Sequence, residues 1–86
     1  MKLISQVIAI ALLGIVFALP AHAITTFNSE EQAQHYCPID TVVWLNLPTM
    51  IWHYKGERWY GRTKSGAYAC EKEAAASGAR GTRNGQ

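Results

Sequence analysis

The chain has little of what enzyme sites are usually built from. It contains no nucleophile elbow, no glycine-rich phosphate loop and no internal repeat. Only two cysteines, three histidines and six Asp/Glu occur in 86 residues. Two cysteines exclude a four-cysteine metal site. No spaced pair of carboxylates suits general acid–base work. An excess of one charge sign is missing too, with eight Lys/Arg against six Asp/Glu. A dedicated nucleic-acid binder tends to be plainly basic, and this chain is not.

What the chain does have begins with its first 23 residues. Met1-Lys2 is a minimal positive start, and Leu3 to Leu19 is an apolar run interrupted by Ser5, Gln6 and Gly14. Pro20 breaks the run, and Ala21-His22-Ala23 places small residues at the −3 and −1 positions of a signal peptidase site. The run is about 17 residues long, short of the roughly 20 that a bilayer span needs. No cysteine stands directly after Ala23, which argues against a lipoprotein. The expectation is a bacterial signal-peptide helix over 1–23, cleaved after Ala23. The product is then periplasmic or secreted, with no membrane anchor left.

The remaining piece runs from Ile24 to Gln86 and loses only Lys2 from the basic residues, so seven Lys/Arg face six Asp/Glu. A domain of this size buries only about 60% of its unfolded surface and usually needs a staple. Cys37 and Cys70 are an even pair in an exported chain, where a disulfide is the default.

Residues 24–36 are polar, with one short helix allowed behind Asn28 or Ser29 as cap. Cys37-Pro38-Ile39-Asp40 forms an opening turn. Thr41 to Asn46 is β-branched and aromatic and reads as a strand. Leu47-Pro48-Thr49 is a turn, since proline cannot donate to a ladder. Met50 to Lys55 is a second strand, with Met50, Trp52 and Tyr54 on one face and Ile51, His53 and Lys55 on the other. Arg58 to Arg62 carries Trp59 and Tyr60 side by side, and these point opposite ways if the segment is extended. Ala67 to Cys70 is a short third strand. Glu71 to Ser77 is a helix with acids in its first turn and Gly78 as its stop. Residues 79–86 are polar and Gly-rich, and read as a disordered tail.

The fold expected is therefore α+β: an antiparallel hairpin extended to three strands and covered by one C-terminal helix. It occupies residues 37–78.

The run from Cys37 to Arg80, with VVWLN, WHYKGERWYG, TKSGAYACEKEA and SGAR, resembles a group of small secreted bacterial proteins. More distantly it is similar to the sunset-type module, whose pattern is a strand, an I-Y-H-like strand, and Y-x-C before an Ala-rich helix ending in Gly-x-Arg. That module is similar to the N-terminal metal domain of the Ada DNA-repair protein. The resemblance implies the ββ-plus-helix fold. It does not carry over the four-cysteine zinc site, and Gly56-Glu57-Arg58 stands where some sunset modules have a further cysteine.

Three sets of residues can carry chemistry. Cys37 and Cys70 read first as a disulfide. The alternative joins them with His35 and His53 as a two-His, two-Cys zinc set, at a spacing that matches no recognised finger. His53 alone reads as a strand histidine, because nothing in the spacing of Asp40, Glu57 or Glu71 ties a carboxylate to it. Lys55, Arg58, Arg62 and Lys64 interleave with Tyr54, Trp59 and Tyr60. The plain reading makes the aromatics core and the cations solvated heads lying along it. The functional reading makes Lys55, Arg58, Trp59, Tyr60 and Lys64 a contact surface for an envelope polyanion or glycan, or for single-stranded nucleic acid. A non-enzymatic binding domain without a cofactor is the expectation.

Overall fold

A computed structural model describes residues 23–86 of the chain. The expected signal helix over 1–23 lies outside the described residues but for Ala23. Helix α1 spans Glu30–Tyr36 and strand β1 Val42–Asn46. Strands β2 and β3 follow at Ile51–His53 and Gly66–Cys70, then helix α2 at Glu71–Ala76 and strand β4 at Arg80–Gly81.

The sheet has four strands in the order β3-β1-β2-β4. β1 pairs antiparallel with β2 (Leu45 opposite Trp52) and with β3 (Val43 opposite Ala69). β4 runs parallel to β2, Trp52 beside Gly81. The domain is α+β, but its sheet is mixed rather than a three-stranded antiparallel unit, and the short helix allowed behind Asn28 or Ser29 forms beside the C-terminal one. The fourth strand comes from the segment that composition alone marks as a disordered tail. Its pairing is set by contact: a Cβ on Gly81 would lie 2.9 Å from the Trp52 indole nitrogen, so only glycine lets β4 close on β2. Ala79, just before it, is buried in the core.

The core lies on one face of the sheet. Val43, Leu45, Trp52 and Ala69 meet Ala74 of α2 and Ala79, with Ile24, Met50 and Tyr54 packed against them. This matches period-2 alternation along β1 and β2. The other face carries an aromatic cluster. Trp44 meets Tyr68 edge-on at 4.9 Å, Tyr60 meets Tyr68 at 5.6 Å, and the Trp44 indole donates to Thr63 Oγ1 at 2.7 Å.

Strand β2 is shorter than the run Met50–Lys55 suggests. Met50 takes a left-handed conformation (φ 58°) at the end of the 47–50 turn, and its N–H bonds Asn46 O at 2.8 Å. After His53 the chain enters consecutive turns, with Glu57 N–H bonding Tyr54 O, Tyr60 N–H bonding Glu57 O, and Arg62 N–H bonding Trp59 O. Trp59 and Tyr60 do point apart, but from turns rather than from a strand.

Ser29 caps α1 by accepting the Gln32 N–H at 3.1 Å, and Ala33 is fully buried. Phe27 bridges Tyr68 on the outer edge of β3, where its ring meets Tyr36 at 5.2 Å. Cys37, directly after α1, forms a disulfide with Cys70, at a Cα–Cα distance of 6.4 Å. The bridge ties α1 to the junction of β3 and α2. No helix among the described residues is long and apolar enough to cross a membrane.

Candidate functional site

The sheet face opposite the core is only partly covered, and the open part forms a cleft of about 620 Å³. Strand register builds its floor. Asn46 stands opposite Ile51, Ile51 beside Arg80, and His53 opposite Trp44, so Asn46, Ile51, His53 and Arg80 share one face. One wall is the loop carrying Trp59, Arg62, Thr63 and Lys64; the other is the segment Thr82–Gln86. Two contacts hold the walls together. Trp59 N–H bonds Gln86 O at 3.0 Å, and Thr82 Oγ1 donates to Glu57 Oε1 at 3.2 Å.

The charge around this cleft is one-sided. Arg62, Lys64, Arg80 and Arg83 line it, and no Asp or Glu does. Glu57 lies behind Thr82 and also accepts the Tyr54 N–H at 2.8 Å. The ion pair found among the described residues, Lys55 Nζ to Glu30 Oε2 at 2.8 Å, lies elsewhere. No salt bridge among the described residues engages the cleft cations. Arg80 donates to Gly81 O at 2.9 Å and keeps its other N–H groups free to bond.

His53 is 7% exposed, and its Nδ1 is buried without a hydrogen-bond partner. Trp59 is exposed at the rim, with the Arg58 guanidinium 4.9 Å from its ring centroid.

The residues expected as a contact surface separate. Trp59 and Lys64 line the cleft, and Arg58 stacks on Trp59. Lys55 and Tyr60 turn away to α1, where Glu30 accepts from both, at 2.8 and 3.1 Å. The Lys55 ammonium holds the Glu30 carboxyl below its ordinary value, and Glu30 in turn raises the lysine. Burial, and then the Glu30 carboxylate, push the Tyr60 hydroxyl well above the usual tyrosine range. Lys55 and Tyr60 clamp the loop rather than face a ligand.

Sequence reasoning missed Arg80 and Arg83 as site residues, and it named Arg62 only as part of the basic run. The two tail arginines reach the cleft through β4, which has no signal in local composition.

The zinc alternative falls with the disulfide. Cys37 and Cys70 are bonded to each other, so neither offers a thiolate to a set with His35 and His53. Among the described residues no group of three or more His, Cys, Asp or Glu is arranged to hold a metal ion.

No protein-family model, curated protein or solved structure matches the chain.

Proposed function

We propose that this is a small exported, non-enzymatic domain that binds an anionic ligand in the cell envelope or outside it, through the cleft between β2, β4 and the Trp59–Lys64 loop. The observation that carries the reading is the segregation of charge. Of the seven basic residues after the leader, four line one cleft and none of the six carboxylates does. Near-neutral net charge then coexists with a local positive field, which focuses where low-dielectric walls surround it. Export is supported by the leader pattern ending at Ala23 and by the Cys37–Cys70 bridge, which an oxidising compartment maintains. The non-enzymatic part rests on His53: no Asp or Glu lines the cleft to orient its ring as a base.

Retention of the purified oxidised protein on immobilised heparin tests the reading. Wild type should be held at low salt and released as salt rises, because exposed charges are screened. An Arg62→Gln/Arg83→Gln variant should elute much earlier, while Lys55→Gln should leave retention nearly intact, since that lysine already serves Glu30. No retention of wild type at low salt would sink the reading. Equal loss from the cleft and Lys55 variants would move the site away from the cleft.

A further inference from the structure

The floor and shape of the cleft narrow the ligand further, on the premise that it binds anions. Its volume, about 620 Å³, is that of a small-molecule site rather than of a track for an extended polymer. Three of its four cations are arginines, whose planar fork donates paired N–H bonds to phosphate or carboxylate oxygens. A phosphate monoester carries about 1.5 to 2 negative charges at pH 7, a better match than one carboxylate to four cations that make no salt bridge among the described residues.

His53 is the second, independent feature. Its ring makes no hydrogen bond among the described residues, and its Nδ1 is buried without a partner. A buried N–H without an acceptor is rarer and costlier than a buried lone pair, so the proton belongs on Nε2. That leaves a donor at the cleft floor with no protein acceptor. At the rim, the Trp59 ring offers a surface on which a sugar or base can stack.

We propose that the cleft binds a phosphate monoester carried on a single ring of sugar or nucleobase size. Arg62, Arg80 and Arg83 hold the phosphate, Trp59 stacks on the ring, and the His53 Nε2–H donates to a ligand oxygen at the floor.

Calorimetric titration of the oxidised protein with glucose 6-phosphate, adenosine 5′-monophosphate and their unphosphorylated parents tests this, with heparin retention run in parallel. At least one monophosphate should bind at least about tenfold more tightly than its parent, the loss expected when charge-assisted bonds are removed. Which of the two binds better identifies the ring as sugar or base. The Arg62→Gln/Arg83→Gln variant should weaken that binding at least about tenfold. On wild type, the His53 ring nitrogen resonances should shift in step with saturation, a readout that needs no variant to fold. Heparin retention without binding of either monophosphate would overturn this proposal and leave the broader anion reading standing. Loss of both would overturn both, and binding with unmoved His53 resonances would remove His53 from the site.

Discussion

The Asp40 carboxylate accepts the backbone N–H of Lys72 at 3.0 Å, so a residue 32 positions upstream caps α2. It also takes the N–H of Thr41 at 2.7 Å, which fixes its own turn. Cys70 stands at the N-cap position but makes no side-chain cap bond, its sulfur being joined to Cys37. The bridge and the cap are thus two halves of one junction.

Asp40→Ala should cost about 1 kcal/mol, the usual worth of an N-cap, while Asp40→Asn should keep most of it. In a domain this small, such a loss lowers the melting temperature by about 4–8 °C. Thermal unfolding of the two variants checks the order, and equal melting of Ala and wild type would remove the cap role.

Reduction of Cys37–Cys70, or Cys37→Ser with Cys70→Ser, should cost about 4 kcal/mol on the chain-entropy account of a loop this long. At roughly 0.05–0.15 kcal/mol per residue a domain this small has only about 3–9 kcal/mol in total, so the reduced chain should lose about half of its stability or more. Circular dichroism with and without reductant measures this. An unchanged melting curve would show that the core alone suffices.

Acid should loosen the clamp between α1 and the cleft wall. The Lys55 bond holds the Glu30 carboxyl below its ordinary 4.5, so in acid the unfolded chain binds more protons than the folded one. The clamp's contribution is complete above pH 4.5 and fades as pH falls through the lower folded value. The pair is exposed and screened by solvent, so the gap is small. Comparing wild type with Glu30→Gln between pH 7 and pH 3 should show a stability gap at neutral pH that closes in acid. A gap that widened in acid would contradict the assignment.

Gly66→Ala should be destabilising by about 1–3 kcal/mol, in the range of other overpacked sites. A Cβ there would lie 2.5–2.6 Å from the Trp44 ring, which Thr63 and Tyr68 hold in place. Trp44 fluorescence should change with it. The double change Gly66→Ala/Trp44→Leu should lose less than the two single losses added together, since the clash is gone.

The elements that declare themselves locally were legible. Val42–Asn46 is β-branched and aromatic, Glu71–Ala76 is made of helix formers, and Ser29 opens α1 as a capping serine should. The face assignment of β2 followed from alternation alone. What local reading could not supply is contact between distant residues. Arg80-Gly81 becomes a strand because Gly81 fits beside Trp52, and nothing in the residues around it says so. The same limit misplaced two of the five residues of the candidate surface. Tyr60 and Lys55 sit among cations in sequence, but Glu30 draws both away. Arg80 and Arg83 sit in a glycine-rich tail in sequence, but β4 carries them to the cleft.

The parallel pairing of β4 with β2 also sets a timetable. A chain that emerges from a channel N-terminus first can zip β1 to β2 and β3 as soon as residue 70 is out. The Ile51–His53 edge then stays bare, and Trp52 is unshielded, until Arg80–Gly81 arrives. Any factor that guards the nascent domain against mispairing therefore has one strand to cover, β2, and it must let go when residues 80–82 appear. The cleft cannot exist before that moment, so it is the last feature of the fold to form.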